Sequence, residues 1–380
     1  MEDKLLILNQ NDYIPLEIAE KIINNLYLID FDIKQGSNVL LKPNIVSQNT
    51  AKQATITHFG FVESLCILLK NKNCNIIIGE SSAYYQKNYT DGSFITSGIK
   101  KIAQKYNAKI VSFEKEELKL YTNENNKVLK DVLLTKWIEK VDYIINLPKL
   151  KTHSYMKLSC GVKNLFGFVP GGTKMEYHFL NGYTKDIFGD KLCDIFNIIR
   201  PSLTIMDGII SLEGEGPSAM GTPKDTKLIA ISKNPYAMDF IVSKIIGYNP
   251  EEITYLKKGI ERNFLIPSNI KILGNYSNDN LPFIFFKKPK EALEHPKEKN
   301  SFYKILRVCP IIKENLCRNC MQCVNICPLK AITKSNPPII DTSQCLNCYN
   351  CFYNCPYKAI KLKGTTLTPI IDFLRRKLKI

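Results

Sequence analysis

Across the first 280 residues, short apolar runs alternate with stretches in which apolar residues recur every three or four positions. The runs predict strands at 5–8, 39–41, 75–78, 109–112, 143–146, 203–206, 228–231 and 271–273. The helical spacing predicts helices at 15–28, 60–70, 94–105, 185–199, 236–245 and 251–263. Strands alternating with helices are what crossover units around a parallel sheet produce. Residues 1–280 are therefore expected to form an α/β domain with a doubly wound, mostly parallel sheet.

Both periodicities stop after residue 280. Pro282, Pro289 and Pro296 interrupt a dense mix of Lys and Glu, so 281–308 reads as an exposed linker. Cysteines crowd the segment 309–364, which reads as a second, small domain. Residues 365–380 open on Thr-Pro and place Ile370, Phe373, Leu374 and Leu378 on one helical face, opposite Arg375, Arg376 and Lys379. An amphipathic helix capping the small domain is the simplest reading, ahead of a membrane-surface or partner helix.

Composition narrows the function classes. With 44% hydrophobic and 23% charged residues over 380 positions, the chain has enough apolar content to build a core, which excludes disorder as its main state. There is no run of about 18 apolar residues to form a transmembrane segment. The N-terminus carries acids where a secretory signal carries bases, so a cytoplasmic protein is expected. Of the formal charge of +16, residues 281–380 contribute +12, since they hold 18 Lys and Arg against 6 Asp and Glu. No nucleic-acid reader motif accompanies this basic tail, so nucleic acid is not expected as a partner.

Nine of the thirteen cysteines fall between Cys309 and Cys355. Cys317, Cys320, Cys323 and Cys327, followed by Pro328, repeat as Cys345, Cys348, Cys351 and Cys355, followed by Pro356, with seventeen residues between the copies. Structural zinc sites use separated cysteine or histidine pairs, whereas complete four-cysteine runs ending in proline are the pattern of two 4Fe-4S clusters. In that pattern the fourth cysteine of each run serves the other cluster. One cluster is assigned to Cys317, Cys320, Cys323 and Cys355, the other to Cys345, Cys348, Cys351 and Cys327. Residues 310–363 resemble a bacterial-type two-cluster ferredoxin, which implies a small α+β domain with two low-potential one-electron centres. Its surface is basic where free-standing ferredoxins of this type tend to be acidic. An acidic electron donor, a ferredoxin or flavodoxin, is the expected partner.

In the large domain, polar residues gather where strands end, as ligand sites of α/β sheets do. Lys42, Pro43 and Asn44 follow one predicted strand, and Gly79, Glu80, Ser81 and Ser82 end another. The densest stretch runs from Asn146 through Lys149, Lys151 and His153 to Lys163, Asn164, Gly171, Gly172 and Lys174. KPNIV at 42–46, NLPKLKTH at 146–153, GVKNLFG at 161–167, DGIISLEGEGP at 207–217 and NPYAMDFIVSKIIGYNP at 234–250 are similar to successive blocks of the domain of unknown function 362 family. The resemblance spans about residues 1–275 and implies an α/β domain joined to a ferredoxin-like segment, without a defined activity.

The chemistry is read from the residues. Lys42, Asn44, Lys149, Lys151, Lys163, Asn164 and Lys174 are expected to hold an anionic small molecule, with backbone N–H groups of Gly171 and Gly172 beside them. His153 and His178 are the candidate catalytic acids or bases at neutral pH. The same histidines with Asp207, Glu213, Glu215 and Glu80 leave open a divalent metal. Cys160 would have a lowered pKa if a helix begins beside it, and Asp239, inside an apolar pattern, calls for a cap or an ion pair. No Walker A element or Gly-x-Gly-x-x-Gly fingerprint is present. The expected function is an oxidoreductase passing electrons through two 4Fe-4S clusters to an anionic substrate. An electron-transfer adaptor without turnover, or a non-redox domain with structural or sensing clusters, are the alternatives.

Overall fold

A computed structural model describes residues 2–82, 88–179, 184–217, 219–290, 309–327, 329–345 and 349–363. The first strands are β1 (Asp3–Asn9), β2 (Asn38–Pro43), β3 (Asn75–Glu80) and β4 (Lys109–Ser112). A two-stranded ribbon, β5 (Leu118–Thr122) and β6 (Asp131–Thr135), follows. Then come β7 (Tyr143–Leu147), β8 (Lys149–His153), β9 (Lys157–Ser159), β10 (Leu203–Glu213), β11 (Thr222–Ser232) and β12 (Ile270–Gly274). The main sheet has the order β12-β1-β11-β10-β7-β2-β3-β4, with β8 on β10 and β9 on β8. Along that path only β11 runs against its neighbours. The domain is α/β with a mostly parallel sheet, as the alternation of runs and helices predicts.

Side chains alternate across the sheet. Leu5, Ile7, Leu40, Ile77 and Ile144 enter one buried cluster, while Leu6, Leu8, Val39, Leu41, Ile76, Ile78 and Ile145 enter the other. Both faces are covered by helices, which is why these strands read as nearly continuous apolar runs. The helix Phe59–Asn71 supplies Phe61, Leu65, Cys66 and Leu69 to one face. Lys185–Ile199 and Pro235–Ile245 supply Phe188, Leu192, Phe196, Tyr236 and Phe240 to the other.

Several predicted elements change in detail. The 94–105 helix is two helices, Tyr89–Thr96 and Ile99–Lys105, broken where Gly98 turns left-handed at φ 82°. The 15–28 helix stops at Ile23 before two asparagines, and a 3₁₀ turn, Leu26–Ile29, follows. In place of 251–263, Pro250–Glu252 forms a 3₁₀ turn and the helix is Thr254–Glu261. The linker is only partly exposed over its first ten residues: Phe283, Phe285, Lys287, Lys288 and Lys290 are exposed, but the segment is tied to the α/β domain. Phe286 is fully buried, Lys287 N–H donates to Glu213 Oε2 at 2.9 Å, and Gly214 N–H donates to Lys287 O at 2.9 Å. Residues 291–308, and the amphipathic helix predicted at 365–380, lie outside the described residues.

In the cysteine module, β13 (Cys309–Ile312) pairs antiparallel with β14 (Ile360–Lys363), and short helices fall at Gln322–Ile326 and Asn350–Tyr353. Its small core is Ile332, Cys351 and Ile360, with Cys323, Cys327 and Cys355 against it. Among the described residues no helix is long and apolar enough to cross a membrane.

Candidate functional site

The chain steps outward from β2 to β3 and β4, then returns on the other side of β2 as β7 and β10. Ligands of open α/β sheets bind outside the carboxyl ends of the strands at such a reversal. A cavity of about 270 Å³ lies there. Asn44 follows β2, Glu80 and Ser81 close β3, and Lys151 and His153 come from β8. Lys163, Asn164 and Phe166 reach it from the turn after β9, and Lys174 and His178 from the helix Thr173–Phe179. Seven of the nine residues predicted for the α/β domain line this one cavity.

β8 explains part of the convergence. Pro148 interrupts the strand begun by β7, and the chain resumes as Lys149–His153, pairing with β10 and β9. Alternation along a strand puts Lys149, Lys151 and His153 on one face and Leu150 and Thr152 on the other.

The lysines fall into two groups. Lys42 Nζ pairs with Glu80 Oε2 at 2.7 Å and Lys149 Nζ with Asp207 Oδ2 at 2.9 Å, all four side chains fully or almost fully buried. Burial presses both amines toward the neutral form while the paired carboxylates pull them back. Neither lysine lines the cavity, so the expectation that both touch a ligand is corrected: they brace its surroundings. Lys42 Nζ also reaches Asn164 Oδ1 at 3.3 Å, and Asn44 Nδ2 donates to the same oxygen at 2.9 Å. Asn164 Nδ2 donates to Asn146 Oδ1 at 2.8 Å, which closes the floor. A Cβ at Gly167 would run into Glu80 Oε1 and Lys42 Nζ, so any larger residue there has to displace that ion pair.

Lys151, Lys163 and Lys174 have no carboxylate partner among the described residues. Lys151 Nζ donates to Asn44 Oδ1 at 2.6 Å and Thr55 O at 2.8 Å, and Lys174 Nζ to Val169 O at 2.5 Å. Half-buried Lys163 has, among the described residues, the ring of Phe188 as its neighbour, 5.9 Å from its Nζ. Burial, then the charges of Lys163 and Lys149, lowers Lys151 to about 7. Burial lowers Lys163 and Lys174 to about 8.

The histidines differ from expectation. Burial and nearby lysines push His153 well below its usual range and His178 down to about 3, so both are neutral at physiological pH. His153 Nδ1 accepts from the backbone N–H of Tyr155 at 3.1 Å and of Met156 at 3.3 Å, which puts the ring proton on Nε2. His178 stacks on Phe188 with centroids 4.4 Å apart. Among the cavity-lining side chains, the groups able to exchange protons near neutrality are the lysines.

Asp239 proves to be a cap. Its carboxylate accepts from Gly161 N–H at 2.7 Å, Val162 N–H at 3.0 Å and Tyr255 O–H at 2.9 Å, fixing the short helix Gly161–Asn164 that carries Lys163. Burial outweighs these donors and raises its carboxyl to about 6. A helix does begin beside Cys160, yet burial and the Asp239 charge push its thiol up, so it remains protonated. The N–H of Gly171 is taken by Ser81 Oγ at 2.9 Å and is not offered to a ligand. Within the α/β domain, no group of three or more His, Cys, Asp or Glu arranged to hold a metal ion occurs among the described residues. Asp207 instead joins Lys149, Tyr13 O–H at 2.6 Å and His58 N–H at 2.9 Å. No local pattern marks Tyr13, and Glu80 and Asp207, candidate metal ligands by sequence, are instead the ion-pair partners of Lys42 and Lys149.

In the module, a cavity is lined by Cys317, Cys320, Cys323 and Cys355, so three thiols of the first run and the last of the second face one space. This donor set fits a 4Fe-4S cluster. Of the other set, Cys345, Cys351 and Cys327 are described and Cys351 is buried, while Cys348 lies outside the described residues. Cys309, outside both four-cysteine runs, is half-buried at the start of β13. Lys313, Arg318, Lys330, Lys334, Lys358, Lys361 and Lys363 are all exposed, which leaves the module surface strongly basic. Next to Cys355, Asn354 Nδ2 donates to Lys115 O of the α/β domain at 3.5 Å.

The fold and its thiol-lined module define an iron-sulfur protein: an α/β domain with a cationic cavity, joined to a ferredoxin-type electron-transfer domain. The chain belongs to the domain of unknown function family DUF362, whose model matches residues 39–244, and it carries a 4Fe-4S dicluster domain over residues 316–359. It is similar to the thylakoid-associated protein sll1697 of Synechocystis sp., 33% identical over 221 residues that cover 58% of this chain and 66% of that protein. Among solved structures, the lactate racemase apoprotein from Thermoanaerobacterium thermosaccharolyticum is matched at a TM-score of 0.34 and 10% identity. That match covers 62% of this chain and 56% of the racemase, and nothing about the site follows from it.

Proposed function

We propose that this protein is a cytoplasmic oxidoreductase in which two 4Fe-4S clusters deliver electrons to an anionic substrate held in the cavity at the β2/β7 reversal. The observation that carries the reading is the convergence of Lys151, Lys163, Lys174 and His153 on one cavity in a chain that also bears a cluster domain. Held by Cys317, Cys320, Cys323 and Cys355 and by Cys345, Cys348, Cys351 and Cys327, the clusters supply low-potential one-electron transfer.

The α/β domain does the binding. Lys151, Lys163 and Lys174 hold the anion, and His153 offers its Nε2–H as a neutral donor. Asn44 and Asn164 keep the floor in place against the Lys42–Glu80 pair. Lys151, Lys163 and Lys174, lowered by burial to about 7–8, hold or release protons at their Nζ atoms near neutral pH. The basic face of the module suits an acidic donor such as a ferredoxin or flavodoxin, and the transfer rate should fall with added salt.

The test is anaerobic purification, an iron and sulfide count, and a titration followed by electron paramagnetic resonance with and without small anionic metabolites. About eight irons per chain and a cluster signal altered by one metabolite are expected. Clusters indifferent to every metabolite favour an adaptor, and cluster-free protein with full turnover would sink the redox role.

A further inference from the structure

We propose that the cavity takes a dianionic group, from a phosphate monoester or a dicarboxylate, and that Lys151, Lys163 and Lys174 take up protons as it binds. The proposal deepens the reading of the cavity as an anion site and rests on it.

Three amines share one cavity, and the carboxylates that act on them, with the other acids named below, are engaged or held back. Glu80 is bound by Lys42, Asp207 by Lys149, and Asp239 by the two N–H groups it caps. Glu114, facing Lys174, is buried and its carboxyl is pushed up by that burial. His153 and His178 are neutral and add N–H donors without adding charge. A monoanion would leave most of the cationic potential uncompensated in a poorly solvated space, whereas a dianion offsets it.

Protons follow from the same geometry. Lys151 faces Lys163, Lys149, Lys42 and Glu80, and Lys174 faces Glu80, Glu114 and Lys42. Lys163 faces both histidines. Repulsion and burial keep part of this set unprotonated near pH 8, and a bound dianion reverses the balance, so the amines recharge from solvent.

The experiment is calorimetric titration of the full-length, cluster-loaded protein at about pH 8 with sulfate, malonate and acetate, in two buffers of different ionisation enthalpy. Sulfate and malonate are both fully dianionic there, so proton exchange reports the protein. Sulfate or malonate should bind about tenfold or more tighter than acetate, with uptake of about one proton or more per chain. Preference for sulfate assigns the phosphate source, and preference for malonate the dicarboxylate. Lys163→Arg keeps a permanent charge, so it should retain dianion binding while the proton uptake falls. Acetate binding as tightly as both dianions, or dianion binding without proton uptake, overturns the proposal and leaves the anion site standing. Failure of all three anions to bind overturns both.

Discussion

Lys149 and Lys151 are two residues apart on the same face of β8, yet their surroundings assign them opposite work. Lys149 meets Asp207, Tyr13 and a closed network in which it braces the sheet. Lys151 meets a carbonyl and an amide, repels its lysine neighbours, and faces open space. Lys42 and Lys163 repeat the contrast, one locked to Glu80 and the other, among the described residues, lying over the Phe188 ring with no carboxylate. A buried lysine becomes structural where a carboxylate reaches it and ligand-ready where none does.

The contrast breaks most visibly at Asp207. Asp207→Ala strands the Lys149 amine and should cost about 3–5 kcal/mol in denaturant unfolding. A cost no larger than that of Lys151→Met would erase the distinction. Lys163→Gln comes next: anion affinity should fall about tenfold, near 1.4 kcal/mol of binding energy, with unfolding stability changed by less than about 0.5 kcal/mol.

Lys151→Met sharpens the comparison through pH. A base held at about 7 in the folded chain and near 10.5 when unfolded binds fewer protons when folded between those values. Stability from this group therefore rises as pH goes from about 7 to about 10, and the variant should flatten that slope in melts taken across the range. Smallest is Asp239→Asn, expected to cost about 1 kcal/mol as a lost cap and to weaken anion binding only through Lys163. A larger loss of anion affinity than in Lys163→Gln would move Asp239 into the site itself.

Where local pattern decides structure, the sequence was readable. The strand 109–112 and the helix 185–199 occur with the predicted bounds, because apolar spacing and a Thr184 cap suffice to define them. No strand is predicted at β8, since Pro148 hides the resumption of the strand, although the alternation Lys-Leu-Lys-Thr-His carries a period of two. The lysine-bearing loops were legible because they follow strand ends. Which lysines would be neutralised was not, as Glu80 lies 38 residues from Lys42 and Asp207 lies 58 from Lys149. The histidines misled for a related reason: only packing reveals how thoroughly a ring is cut off from water.

The strand alternation in β8 carries an evolutionary consequence. Point changes at Leu150 or Thr152 alter packing but leave the chemistry facing the cavity. A single-residue insertion or deletion between Pro148 and Lys151 would turn the strand over, presenting Leu150 and Thr152 to the ligand and driving Lys151 and His153 into the sheet's other side. This five-residue stretch should therefore drift in identity long before it changes in length, and length polymorphism there would mark a lineage that has abandoned the site.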